Sequence, residues 1–415
     1  MPIADHKKKI EREKERHEKS DGIGVENLET IKRFHRWLIL NDYSEIRQYK
    51  YLIYLRIIAE NNDFVYENAT KEDIENVVLW LKNRENISDT TRLDYKIILK
   101  RFYKWLGDGE YPECAEWLST TRKKNNNKNL PEDMLTEDDV KKLIKETGNP
   151  RDRAFISLLW ESGARIGELI DLTIGDIQNH KHGLKIVVTG KTGSRRLPLI
   201  SSVPHINAWL ESHPHGNDSD SFLWVNIGTR NKGKKTGYRA LRKMLQKTAD
   251  NSGIDKPVNP HQFRHSRATY LASRFTEAQM CEWFGWVQGS DIPAKYVHMS
   301  GRDIDASYAR LHGIEDKESP EKSTLAPQEC PRCGNSVPPD GEFCYKCGMA
   351  LSFEAAQQIE EDEQDVGQKF TEEAQEDPEM LKDMQDFMEM IKVIRSDGEL
   401  MDDLHKLVKE KKQSG

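Results

Sequence analysis

No run of about eighteen apolar residues occurs in the 415-residue sequence, which leaves no candidate for a membrane-spanning helix. Met1 to Ser20 is charged rather than apolar, so no secretory signal is read there and a cytoplasmic, membrane-free protein is expected. Cysteine is scarce. Of six, four fall in one short segment, while Cys114 and Cys281 stand alone in the manner of ordinary buried thiols. Overall basicity is missing as well, since the net charge is -7. That deficit is local: residues 353–415 carry 19 acidic and 8 basic side chains, and the residues before them sum to +4. A mildly basic body followed by an acidic tail keeps a polyanionic partner open.

What is present is mostly helical. Residues 1–24 form a charged N-terminal segment, and its run His6 to Lys19, without apolar periodicity, reads as a solvated, frayed helix. Across 25–120 apolar residues recur at helical spacing, as in Leu28, Ile31, Phe34, Trp37 and Leu38 or Tyr95, Ile98, Leu99, Phe102 and Trp105. About four helices in a small bundle follow. Basic residues such as Lys32, Arg36, Arg92 and Lys100 on its polar sides make a surface suited to phosphates. Residues 121–133 are nearly free of apolar side chains and include Arg122, Lys123, Lys124 and Pro131, a basic linker able to follow a DNA backbone.

Residues 134–315 form the next domain. Thr136 with Asp139 three residues later predicts a capped helix start. After Asp176 the pattern turns to strands, Leu184 to Thr189 and Arg195 to Leu199, around a turn at Lys191-Thr192-Gly193-Ser194. The helix from Tyr238 to Lys247 carries Arg239, Arg242 and Lys243 and is expected in or along a groove of DNA, with Arg195 a further DNA-contacting cation. The fold class is therefore mostly α with a small β-sheet.

One stretch gathers the chemistry. Asn259-Pro260 reads as an N-cap followed by proline at the first helical position, which puts His261, Arg264 and His265 on one helical face. Cationic groups converging on one spot suit a phosphodiester, whose transition-state charge is best met by fixed donors and planar Arg forks. No carboxylate pair or His triad marks a metal site in this stretch, so the nucleophile works without one. Tyr296 is the candidate: its phenol attacks and holds the phosphate covalently until a second hydroxyl displaces it, with no need of ATP. Upstream, Ser162-Gly163 stops one apolar helix and Arg165 stands at the start of the next, where a helix N-terminus favours an anion and Glu168 can brace the guanidinium.

Arg165 in S-G-A-R-I-G-E-L, Lys191 at the hairpin turn, His261 and Arg264 in H-x-x-R-H, and Tyr296 after Gly285-Trp286 together resemble the tyrosine recombinase (phage integrase) family. The resemblance runs from about Phe34 to Gly313 and is strongest after Leu135. It implies that the helical bundle is a core-binding domain closing over double-stranded DNA. It implies also that Arg165 and Arg264 clamp the non-bridging oxygens, that His261 assists proton transfer or binds phosphate, and that Lys191, with Lys185 the weaker rival, protonates the departing 5′ oxygen. Trp286 takes a position that is most often His in that family, and Tyr296 forms a 3′-phosphotyrosyl bond. The implied activity is site-specific recombination by a homo-oligomer, a tetramer on paired sites, in which the helix expected over Ile304 to Leu311 docks on a neighbour. A type IB topoisomerase-like enzyme and a catalytically silent DNA-binding regulator are the alternatives.

Residues 326–352 hold a second motif. Cys330-Pro331-Arg332-Cys333-Gly334 and Cys344-Tyr345-Lys346-Cys347-Gly348 have the spacing of two knuckles around a tetrahedral structural zinc and resemble a zinc ribbon. An acidic linker, 353–378, leads to a tail, 379–412, where Leu381, Met384, Met388 and Ile391 and then Leu400, Leu404 and Leu407 mark amphipathic helices. These pair between protomers, dock on a protein partner or pack on the body.

Overall fold

The computed structural model of the chain describes residues 6–121, 131–190, 193–229, 231–299 and 323–359, with residues 361, 362, 364, 365 and 382 beyond them. The architecture is mostly helical with small sheets. The N-terminal unit comprises α1 (His6–Lys19), α2 (Val25–Leu40), α3 (Glu45–Asn61), α4 (Lys71–Asn83), α5 (Asp89–Leu106) and the short α6 (Glu113–Glu116). The helical stripes read from the sequence meet in one core. Phe34 is fully buried and touches Phe102 edge-on at 5.1 Å and Trp105 at 5.0 Å, with Leu55, Ile58, Ile74 and Leu99 around them.

Helix α1 corrects an expectation: it is packed, not solvated. Ile10, Glu13 and His17 are buried against α3, where Arg56 Nε donates to Glu13 Oε1 at 2.6 Å and His17 Nε2 lies 3.1 Å from Leu52 O. Two of the three seam residues are polar, so the stripe was invisible to an apolar count. Part of the basic surface is also turned inward. Arg92 donates to Leu81 O and Arg84 O, and Lys100 to Glu116 O and Leu118 O.

The second unit begins at α7 (Glu137–Lys145), capped by Thr136 and Asp139 as expected. It continues through α8 (Pro150–Ser162), α9 (Ile166–Ile170), a meander of β1 (Ile177–His180), β2 (Gly183–Gly190) and β3 (Gly193–Leu199), then α10 (Val203–Ser212), α11 (Tyr238–Ser252), α12 (Pro260–Ala272), α13 (Glu277–Phe284) and α14 (Ile292–Met299). Helix α8 is apolar nearly all round, which makes it the central element: Phe155, Ile156, Leu158, Leu159 and Trp160 are all buried. Its buried carboxylate Glu161 accepts from the backbone N–H groups of Ile200, Ser201 and Ser202 at 2.7, 2.9 and 2.8 Å and so ties the β3–α10 connection to α8. Strand β1 was not foreseen, being four residues long without alternation. Gly190 pairs with Gly193, so Lys191 and Thr192, which lie outside the described residues, link β2 to β3. Cys114 and Cys281 are buried thiols.

Beyond α14 the described chain resumes at Ser323, clasped by Glu137. Ser323 Oγ and Thr324 N each donate to its carboxylate at 2.7 Å, and Leu325 enters the core around α8. The strands β4 (Gln328–Glu329) and β5 (Ser336–Val337) form a hairpin, and β5 packs on α10. Two identical turns follow from the repeated C-x-x-C-G: Gly334 N donates to Cys330 O at 2.9 Å, and Gly348 N to Cys344 O at 2.8 Å. They bring the four Sγ atoms within 4.8 Å of one another, with Cys330–Cys347 at 3.6 Å and Cys333–Cys344 at 3.7 Å. Bonded sulfurs lie about 2.05 Å apart. Four sulfurs around zinc at about 2.3 Å are separated by about 3.8 Å in a tetrahedron, so the cluster has the dimensions of a metal site. The helix expected over Ile304 to Leu311, the linker cations Arg122, Lys123 and Lys124, and, apart from Lys382, the tail over 379–412 lie outside the described residues.

Candidate active site

The site grows from the ends of three helices. Gly163 closes α8 with φ +54, a left-handed conformation, and a Cβ there would lie 2.7 Å from Phe284 Cε1, so both backbone and space call for glycine. That turn aims Gly163 O at Arg264, whose Nη1 donates to it at 3.0 Å while Nη2 donates to Phe284 O at 2.7 Å. Arg264 is thus pinned at 6% exposure between the ends of α8 and α13. Burial and then the nearby Arg165 charge lower its pKa to about 10, which leaves it a cation at neutral pH.

Arg165 is the N-cap of α9 and is more open. Its backbone N–H donates to Glu168 Oε2 and its Nη1 to Glu168 Oε1, both at 3.0 Å, which is the brace expected. The surprise is Arg195. Expected to contact DNA, it is instead an internal strut: its side chain is 8% exposed, Nη2 donates to Glu168 Oε2 at 2.7 Å and Nε to Trp283 O at 2.8 Å. A strand whose alternate residues point inward carries the guanidinium to a buried carboxylate. Sequence offered no sign of this, because Arg195 and Arg196 look alike until the register is known.

Burial alone would raise the Glu168 carboxyl pKa, but the pair with Arg195 and then Arg165 more than reverses it, and the net shift is downward. A depressed carboxylate contributes stability above its unfolded pKa, about 4.3, and loses it as pH falls through the folded value. Glu168→Gln is expected to leave Arg195 buried without an anion, at a cost of roughly 3–5 kcal/mol, and to flatten the acid side of the stability profile. Urea unfolding of both proteins between neutral pH and pH 4 measures this; equal slopes would show that Glu168 is not the titrating group.

His261 and His265 project from α12 as their spacing requires. Their Nε2 atoms are 2.8 Å apart, His261 exposed and His265 half-buried. Tyr296 on α14 is 8% exposed, and its Oη lies 2.6 Å from His265 Nδ1. Trp286 lies between Phe284 and Tyr296, stacked on Phe284 at 4.7 Å and on Tyr296 at 5.3 Å with planes 5° apart, while the Arg264 guanidinium sits 5.5 Å from the indole centroid. Trp286 therefore sets the plane of the phenol.

Arg165, Arg264, His261, Tyr238 and Arg242 line a cleft of about 380 Å³. Arg239 and Lys243, on the same helix α11, are exposed. The structure thus brings Arg165, Glu168, His261, Arg264, His265, Trp286 and Tyr296 together, while Lys191 lies outside the described residues.

The profile of the phage integrase family matches residues 133–302. Tyrosine recombinase XerC of Pelotomaculum thermopropionicum is 30% identical over 200 residues, 45% of this chain and 63% of that protein. Tyrosine recombinase XerA of Pyrococcus horikoshii is 31% identical over 172 residues, 40% of this chain and 58% of that protein. The chain therefore spans about three fifths of the length of these relatives. Among solved structures, a lambda integrase tetramer bound to a Holliday junction aligns with a TM-score of 0.52 at 14% identity, covering 67% of this chain and 78% of that one, a likeness of fold. The segment that holds the cleft, with Arg165, Arg264, His261, His265 and Tyr296, is thus the segment that matches the phage integrase family.

Proposed function

We propose that the protein is a site-specific DNA recombinase that cuts and rejoins strands through a 3′-phosphotyrosyl bond at Tyr296. The observation that carries this reading is the convergence of Arg165, Arg264 and His261 on one cleft, with the Tyr296 hydroxyl at the same cluster. Two guanidiniums offer fixed donors to the non-bridging oxygens of a phosphodiester, and a pinned Arg264 needs no reorganisation as charge builds up there. Lys191, between β2 and β3 in the sequence, is the acid for the 5′ oxygen. The phosphotyrosyl bond conserves the energy of the cleaved diester, so rejoining needs no ATP, and neither cleavage nor rejoining draws on a catalytic metal.

The partners in this reading are double-stranded DNA, held by α11 cations Arg239, Arg242 and Lys243 and by the basic linker, and further copies of the chain assembled as a tetramer on paired sites in the cytoplasm. The four cysteines would hold a structural zinc, all of whose positions are filled by thiolates. A protein partner for the acidic tail completes the proposal.

The test is covalent trapping. Duplexes recovered from a randomised pool by binding to the protein are nicked, incubated with it and run on a denaturing gel. Wild type is expected to give a protein–DNA band that Tyr296→Phe loses while still binding the duplex. Product topology then distinguishes a recombinase from a type IB topoisomerase. Binding without a band from wild type would favour the silent regulator.

A further inference from the structure

The nucleophile's hydroxyl faces neither Arg165 nor His261 but His265, and the contacts form a chain. Tyr296 Oη is 2.6 Å from His265 Nδ1, and His265 Nε2 is 2.8 Å from His261 Nε2. One end is a phenol at 8% exposure and the other an imidazole open to solvent. If the phenol donates at Nδ1, neutral His265 carries its own proton on Nε2 and donates it to His261 Nε2. Every link then has one donor and one acceptor.

Resting on the recombinase reading, we propose that His265 is a catalytic base that takes the proton of Tyr296 during strand cleavage and passes one to His261. The Tyr296 Oη–phosphorus bond forms as the phosphorus–O5′ bond breaks, and its electron pair leaves on the 5′ oxygen. The phenol proton moves to His265 Nδ1, the Nε2 proton moves to His261, and His261 releases one to solvent. The 5′ oxygen is protonated separately, by Lys191. Rejoining runs the same transfers backwards.

The surroundings make this transfer conditional on DNA. Burial raises the pKa of Tyr296. Burial, then His261 and Arg264, lower that of His265 to about 4. In the free protein the proton therefore stays on the phenol. The charged groups facing the pair are Arg264 and His261 on α12 and, around the cleft, Arg165, Glu168 and Arg195. A phosphodiester seated between Arg165 and Arg264 brings a negative charge that offsets the cations acting on His265, so the base strengthens when the substrate is in place.

The test compares wild type with His265→Ala and His265→Asn, the amide being able to accept a hydrogen bond near the Nδ1 position but unable to take the proton. Single-turnover formation of the covalent band on the pool-selected nicked duplex is measured against pH, with Tyr296 as tyrosine or as biosynthetically incorporated difluorotyrosine, whose phenol is more acidic. Both variants are expected to slow at least about 100-fold with duplex affinity unchanged, and the low-pKa phenol or higher pH should restore about tenfold or more. Wild-type rates in either variant would overturn the relay alone, as would a loss that neither the acidic phenol nor pH restores, since that marks a packing role. No covalent band from wild type would overturn the recombinase reading and the relay with it. The fluorine resonance of the difluorotyrosine protein, unshifted by His265→Ala, would refute the contact without recourse to DNA.

Discussion

Arg264→Ala is expected to lower covalent strand cleavage by about 1000-fold or more, a size typical of losing a guanidinium that meets transition-state charge in phosphoryl transfer. Arg264→Lys is expected to do almost as badly. The native side chain uses Nη1 and Nη2 to hold Gly163 O and Phe284 O, so its plane is fixed before any phosphate arrives. An ammonium has no plane and cannot bridge two carbonyls while presenting a fork to an anion. Both substitutions leave at least one buried carbonyl without a partner, at roughly 1–3 kcal/mol each, offset in part because a desolvated cation is removed in the alanine protein. Single-turnover cleavage measured beside thermal unfolding separates the two effects. A lysine protein within about tenfold of wild type would mean that charge, not the planar fork, is what the site requires.

Removing metal from the cysteine cluster is expected to unfold residues 326–352 and little else. The only core of that segment is Cys330, Val337 and Cys344 with Cys347, Met349 and Leu351 against them, far too small to stand alone. Apparent binding energies of about 10–16 kcal/mol per structural zinc are the scale on which such segments depend. Atomic emission is expected to find one zinc per chain, and Cys344→Ser, or a strong chelator, should abolish it and release amide protection at Cys330 N and Cys344 N, while amides of α8 keep theirs. The segment also loses its seat: Asp340 faces His205 of α10, whose burial holds it neutral with a pKa of about 4, and losing the cover should return His205 towards an ordinary histidine. Amide protection in the ribbon unchanged by chelation would refute a metal-dependent fold.

Much of this was legible because it is local. The caps at Thr136 and Asn259, the buried stripe of α8, the β2–β3 hairpin and the paired knuckles each rest on residues a few positions apart. Arg165 with Glu168 and His261 with His265 likewise follow from helical spacing. What escaped depends on distant partners. The inward course of Arg195 is set by which face of β3 turns towards Glu168 and α13. The packing of α1 rests on Glu13 and His17, whose fitness for burial exists only opposite Arg56 and Leu52. The contact between His265 and Tyr296 joins residues 31 apart whose meeting is decided by the turn after α13. Composition marked these residues as polar, and polarity by itself does not say inside or outside.

The clasp of Ser323 and Thr324 on Glu137 bears on where the cysteine cluster can lie. Leu325, two residues on, sinks into the core around α8, and β5 packs on α10. The segment 326–352 is therefore moored to the body at two places, one a carboxylate at the start of α7 and the other a helix beyond the sheet. A small segment with little core of its own takes its position from such moorings, so the four sulfurs keep a fixed place beside α10.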